Sequence, residues 1–499
     1  MRRVAQTLVC LVAAGVAIPM VIDAQSTPAT ARSEARIQLG NLLFDDQRYW
    51  EAIPVFDEAK ADAGPDQLAI ASGGLLRSLL QVAEFTQARE EADFLINLAS
   101  DDPEILALRG DALWGVGLFD EAEQVYRDVL AMDAGSAAGR HGMAKSMTTR
   151  GQYDDALDWV RAALEVSPEV ASLHHTLGFI HQRMRRFPEA ADAYQAYVDR
   201  LPTMANSQKA DWARAEVQFL RSFGDRPALV LAEPGRVHTI PFRLVRDKVI
   251  VRGRVNGRDP IDFVMDTGAE QTVLSQPVAR DFDIQPIANT LSAGVGEVGL
   301  RGLQTGRLDS LEIGSLKVSN LPVIIKSPPR GGLPTPEAEG FSPWSLGLSV
   351  TIDYERQELI VGEELPDEPA DIELELRQYR LPVVRGVVND QLARSFVVDS
   401  GGEVISISRG TADLLPPLTV RQVPLKVYGT SGWDEDAYLR PGTDLVFDEL
   451  QYRNYSVVVL NLHRPSALLG FHIGGIVGHS FLSDYRVTLD LNRNLMRLQ

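Results

Sequence analysis

The chain reads as a multidomain protein: an all-α solenoid of helical repeats followed by an all-β unit built from two similar lobes. Three observations carry this. An aromatic residue followed three positions later by alanine recurs at Tyr49/Ala52, Phe85/Ala88, Phe119/Ala122, Tyr153/Ala156 and Phe187/Ala190, at intervals of 36, 34, 34 and 34 residues. After Arg221 the hydrophobic period changes from helical to alternating. The alternating half then contains itself twice, since Asn256 to Asn389 and Asp266 to Asp399 are both separated by 133 residues.

A chain of 499 residues is too long for a single core. With 68 acidic against 49 basic side chains, the formal charge of −19 argues against nucleic acid or anionic lipid as a general partner. At the N-terminus, Arg2 and Arg3, the apolar run Leu8 to Met20 and the end Ile22-Asp23-Ala24 predict a signal peptide over residues 1–24 and a periplasmic or secreted protein starting near Gln25. The alternative is an uncleaved anchor, because Val4 to Ile22 approaches spanning length. No later stretch reads as a membrane span. The only cysteine, Cys10, lies in this segment, so the mature chain is expected to lack disulfides, a thiol nucleophile and cysteine-bound metal.

The repeats run from Ser33 to about Phe223 (33–223). Leu39-Gly40 and Leu177-Gly178 fall in phase, as does Gly110, while Leu76 and Ala144 stand in for that glycine in two units. Pro168 and Pro202 end second helices. The unit resembles the tetratricopeptide repeat, a pair of antiparallel helices whose small residues sit where the helices approach. The resemblance implies surfaces that hold peptide or protein partners. Trp114, Trp159 and Tyr194 suit such contacts and suit core packing equally. His174, His175 and His181 are read as helix-surface residues, since no acidic or sulfur partner has ligand spacing with them.

In the β half, Val249 to Val255 and Ile261 to Met265 flank the hairpin turn Asn256-Gly257 and lead into Asp266-Thr267-Gly268-Ala269. The copy is Val383 to Val388, Asn389-Asp390, Ser395 to Val398, then Asp399-Ser400-Gly401-Gly402. Each copy closes on a similar strand, Val350 to Asp353 and Val487 to Asp490, at an offset of 137 residues, the second preceded by Gly475-Ile476-Val477-Gly478. Between the lobes, 240–363 and 376–499, lies the acidic segment 364–375. Glu363 to Glu375 holds seven carboxylates without lysine or arginine and reads as a solvated linker, not a calcium site. Ser327 to Gly340, rich in proline and glycine, reads as a long loop.

This order of strand, Asp-Thr/Ser-Gly, glycine-bearing hairpin and two apolar residues before glycine resembles the retropepsin and pepsin aspartic proteases. More narrowly it resembles bacterial retropepsin-like proteases with both lobes on one chain, some of which carry tetratricopeptide repeats. The resemblance covers roughly Val249 to Gln499 and implies a two-lobed acid-protease fold acting as an endopeptidase on a peptide or protein substrate, without metal or cofactor. Asp266 and Asp399 would activate water, one ionised and one protonated. Thr267 and Ser400 would hydrogen-bond across the lobe interface, and Gly268 and Gly401 would permit tight turns. Flap candidates are Ala293 to Gly302, with Gly294 and Gly296, and Tyr428 to Tyr438, with Gly429 and Trp433, the last being either a flap or a lobe-core residue.

Two departures bear on activity. Aligned at 137, Glu339-Gly340-Phe341-Ser342-Pro343 faces Ile476-Val477-Gly478-His479-Ser480, so the first lobe lacks the two-apolar-plus-glycine motif. Gly402 replaces a residue with a side chain. A peptide-binding or scaffold protein that keeps the fold without the chemistry is therefore the second reading. Because Ala269 and Gly402 carry no hydroxyl, the aspartate pair is expected to keep its shared proton to higher pH than a pepsin-like site. The β unit is expected to fold without the repeats.

Overall fold

The computed structural model describes residues 10–13, 16–19, 28–99, 101–202, 208–292, 295, 301–326, 339–418, 422–429 and 432–499. Most of the predicted signal segment and residues 327–338 of the predicted long loop lie outside them. Glu339 and Gly340, read as the end of that loop, belong to the strand Glu339–Phe341.

Among the described residues from Pro28 to Arg221 the regular elements are helices, the first Pro28–Asp45 and the last Gln208–Arg221. The second helix of every pair begins on its signature aromatic, at Tyr49, Phe85, Phe119, Tyr153 and Phe187. The alanine one turn later (Ala52, Ala88, Ala122, Ala156, Ala190) is fully buried in each, because only a methyl group fits between the packed helices. The glycines serve the same close approach: a Cβ on Gly40 or Gly178 would stand 2.7 or 2.8 Å from the ring of Phe56 or Tyr194. Where Leu76 and Ala144 replace the glycine, Gly74 and Gly142 two residues earlier admit the rings of Phe56 and Tyr126. Trp114 and Tyr194 are buried. The histidines do not share one role. His174 bonds the carbonyl of Pro168, His175 packs on Tyr194, Tyr197 and Trp212, and His181, read as a surface residue, is buried, which lowers its pKa.

Within each pair the chain reverses through one residue of positive φ, at Gln47, Ala83, Gly117, Gly151 and Arg185. These turns repeat in phase with the helices and line one edge of the solenoid.

The two lobes follow the same plan. Lys248–Val255 and Ile261–Met265 form an antiparallel hairpin, as do Leu381–Val388 and Leu392–Val398, with left-handed backbone at Asn256-Gly257 and at Asn389-Asp390 as two-residue hairpin turns require. The second strand of each hairpin runs parallel to a short strand from the end of its lobe, Glu339–Phe341 or Gly475–Val477.

A shared sheet joins the lobes. Its strands, in order, are Ile372–Tyr379, Leu495–Leu498, Val487–Asp490, Ser349–Asp353, Glu358–Gly362 and His238–Pro241. At its centre Thr351 pairs with Thr488, their hydroxyls 2.8 Å apart. Each of these threonines is the other's duplicate, so the pseudo-two-fold axis relating the lobes passes between them. The segment read as a solvated linker is not free: Ile372 to Glu375 are sheet residues, Asp367 and Glu373 pair with Arg497, and Glu368 pairs with Arg486.

The repeats and the β unit are not independent bodies. Trp114 packs edge-on to Tyr379 and Phe119 edge-on to Phe471, each at 5.2 Å between ring centres, inside one continuous apolar cluster. Turns add polar contacts: the Ser395 hydroxyl donates to the Gly117 carbonyl (2.6 Å), the Asn494 amide to that of Arg150 (2.9 Å), and the Arg185 guanidinium to Leu346 (2.7 Å). Removing the repeats would expose Phe471, Ile473 and Leu381 together, which weighs against the expectation that the β unit folds alone. Phe119→Ala should cost about 3–5 kcal/mol and shift one common urea transition for helix and strand signals. Two separate transitions, with only the helical one displaced, would contradict this.

Candidate active site

Asp266 and Asp399 follow directly on the strands Ile261–Met265 and Leu392–Val398. Each is fixed by its backbone N–H, Asp266 to the Phe341 carbonyl (2.9 Å) and Asp399 to that of Val477 (3.0 Å). Phe341 is thus the counterpart of Val477, one residue away from the alignment expected from the closing strands, because the loops between differ in length. Ser342 therefore occupies the place of Gly478. It is fully buried and its hydroxyl donates to the Ala269 carbonyl (2.7 Å). Glu339 accepts from the Ser275 backbone N–H and, at 2.8 Å, from its hydroxyl. The first lobe supports its aspartate with hydrogen bonds where the second uses apolar packing and glycine.

The two loops are tied to one another by a symmetric set of buried bonds. The Thr267 N–H donates to the Ser400 hydroxyl (3.1 Å) and the Ser400 N–H to the Thr267 hydroxyl (3.0 Å). Each hydroxyl then donates across the interface, Thr267 to the Val398 carbonyl (2.7 Å) and Ser400 to that of Met265 (2.9 Å). Both amides and both hydroxyls are used, as burial demands. The glycines let the carboxylates meet: a Cβ on Gly268 would lie 2.5 Å from the Asp399 carboxyl carbon, and one on Gly401 2.8 Å from that of Asp266.

Enclosure by protein is the largest cause raising both carboxyl groups above the ordinary range, and for Asp266 the charge of Asp399 comes next. The loops are not electrically equal. Asp399 accepts from two backbone amides, Gly401 (2.8 Å) and Gly402 (2.9 Å), whereas Asp266 accepts from Gly268 (2.9 Å). Gly402, which has no side-chain donor, thus supplies one from its backbone. The asymmetry favours charge on Asp399 and the shared proton on Asp266, within a pair that titrates as a unit.

Lys248, absent from any motif, also faces the pair. Its ammonium donates to the Gly401 carbonyl, lies 3.8 Å from Glu403, and its charge lowers the pKa of both aspartates. It opens the strand Lys248–Val255, and only the folding of that strand beside the second loop brings it there.

Of the flap candidates, Gly294 and Gly296 lie outside the described residues. Val295 between them abuts the other hairpin, since a Cβ on Gly429 would stand 2.3 Å from its carbonyl oxygen. That hairpin pairs Val427–Gly429 with Gly432–Asp434. Trp433 is 42% exposed and packs edge-on to Tyr428, which places it on the hairpin and not in a lobe core.

The family model described as gag-polyprotein putative aspartyl protease matches residues 251–332, and tetratricopeptide-repeat models match residues 74–137 and 113–178. A retropepsin-like unit follows tetratricopeptide repeats in this chain. The matched segment lies in the first lobe, and the second relates to it through the duplication. No curated protein matches the chain. Among solved structures, a thermophilic tetratricopeptide-repeat protein of Thermus thermophilus is 18% identical over 38% of this chain and 98% of its own, with a TM-score of 0.33. MamA of Desulfovibrio magneticus is 16% identical over 35% of this chain and 98% of its own, with a TM-score of 0.25.

Removing the Lys248 charge should raise the pKa values of the retropepsin-like pair, because a nearby cation favours ionised carboxylates. In Lys248→Met, both limbs of the pH profile of kcat/KM on a peptide should move to higher pH. An unmoved profile would remove Lys248 from the electrostatics of the site.

Proposed function

We propose that the protein is an aspartic endopeptidase in which Asp266 and Asp399 activate one water molecule and the repeats recruit the substrate. The observation that carries this reading is the reciprocal Thr267–Ser400 bonding, which holds two aspartate loops face to face with their carboxyl groups against the opposite glycines. Asp399, ionised, takes a proton from water as its oxygen bonds to the scissile carbonyl carbon. Asp266, protonated, donates its hydrogen to the carbonyl oxygen. Collapse of the tetrahedral diol breaks the C–N bond, the leaving nitrogen takes the proton from Asp399, and the diol hydroxyl returns one to Asp266. Such a cycle needs no metal or redox cofactor.

Two aspartates with raised pKa values keep one proton between them into the neutral range, so maximal activity is expected from mildly acidic to neutral pH. Asp266→Asn and Asp399→Asn should each abolish cleavage of a peptide library, lowering kcat at least ~10³-fold with the fold unchanged by circular dichroism. EDTA should leave wild-type cleavage intact. Full activity in either variant would reject the shared site, and binding of peptides without cleavage by the wild type would favour the peptide-binding reading.

We also propose that the protein works in the periplasm or as a secreted protein, a reading supported by the basic start, apolar run and cleavage-like end of residues 1–24. The N-terminus of protein recovered outside the cytoplasm should lie near Gln25. Recovery solely from the cytoplasm with Met1 or Arg2 intact would contradict it.

A further inference from the structure

The aspartates do not open onto a simple cleft. One cavity of about 2320 Å³ is lined both by Asp266 and Asp399 and by the turn edge of the solenoid. That exceeds the roughly 300–1,000 Å³ typical of small-molecule sites. Three of the five solenoid turns hydrogen-bond to the β unit: Gly117 through Ser395, the fourth through Arg150 and Asn494, and Arg185 through Leu346. In the second, Ala83 and Phe85 pack with Ala467.

The first turn differs. Its residues Arg48, Tyr49 and Trp50 line the same cavity as the catalytic pair, together with Phe44 just before it. Tyr197 of the fifth repeat lines this cavity as Tyr49 of the first does, so the solenoid curls round it. Trp50 is nevertheless 62% exposed, the most open large apolar side chain among the described residues, and Trp433 on the hairpin, at 42%, lines the cavity as well. An indole left open at the rim of a chamber that also contains the reacting groups is a contact surface without its partner.

Resting on the protease reading, we propose that the first repeat forms a distal subsite, centred on Trp50, for an extended segment of an unfolded polypeptide whose scissile bond lies at the aspartates. The occupant is a polypeptide because the cavity is continuous with the peptide-cleaving groups and too large for a small ligand. It is extended because the solenoid, clamped on the β unit through its other turns, leaves a chamber between them and not an open face. The repeats then select substrates by chain length and foldedness: a short peptide fills the catalytic cleft alone, while a longer one also reaches the first turn.

Dephosphorylated β-casein, a natively unfolded chain, is the probe. Cleavage sites mapped with wild type define an octapeptide and a 24-residue peptide centred on the same bond. Trp50→Ala should lower the ratio of kcat/KM for the longer peptide to that for the octapeptide about tenfold, through KM, as expected for loss of one aromatic anchor. An independent arm measures anisotropy of fluorescein-labelled β-casein with the Asp399→Asn protein, where adding Trp50→Ala should weaken binding by a similar factor. An unchanged ratio, or equal losses on both peptides, would overturn the subsite. Cleavage of neither β-casein nor any peptide by wild type would overturn the protease reading alone, and the anisotropy result would then decide the subsite by itself.

Discussion

Two carboxylates enclosed in the same site repel, and most of what is particular to the β half of this protein follows from holding them together. Enclosure and mutual charge push the pair toward a shared proton, and the chain must resist the tendency of the two loops to part. It does so with the reciprocal Thr267–Ser400 bonds, buried where water cannot compete, and with a sheet whose central strands meet at Thr351 and Thr488. The same axis thus runs through a structural pair at one end and a reactive pair at the other. Gly268 and Gly401 are required because any side chain there would occupy the space of the opposite carboxyl group.

The symmetry is broken where chemistry benefits. One more backbone amide bonds Asp399 than Asp266, and Lys248 stands against the second loop. These fixed charges and dipoles bias where the shared proton sits, which a pair of identical loops would not do. The helical repeats add a second asymmetry, since they bond to Ser395 in the second lobe and to Leu346 in the first, and bring Trp50 to the rim of the same cavity.

Much of this was legible in the sequence, for physical reasons that differ by element. The 34-residue period is visible because close helix packing demands alanine and glycine at fixed positions, and the duplication because a hairpin running into Asp-Thr/Ser-Gly needs the same residue types twice. The offset near Glu339 was misread by one residue because register there is set by hydrogen bonds from Asp266 to Phe341 and not by the nearby closing strand. Lys248 has no local signature, being a lysine at a strand start whose importance comes from a loop 153 residues away. The docking of repeats on the β unit was also hidden: Trp114 and Phe119 look like repeat core, and the partners that complete their packing, Tyr379 and Phe471, lie in the second lobe.

The central claim is that Asp266 and Asp399 form one titrating unit. Carbon-13 NMR of carboxyl-labelled aspartate follows it directly, with wild type compared to Asp399→Asn. The account predicts a resonance titrating far above the ordinary aspartate range in wild type that moves to lower pH when the neighbouring charge is removed. Two aspartates titrating independently near their usual values, unaffected by the substitution, would contradict it.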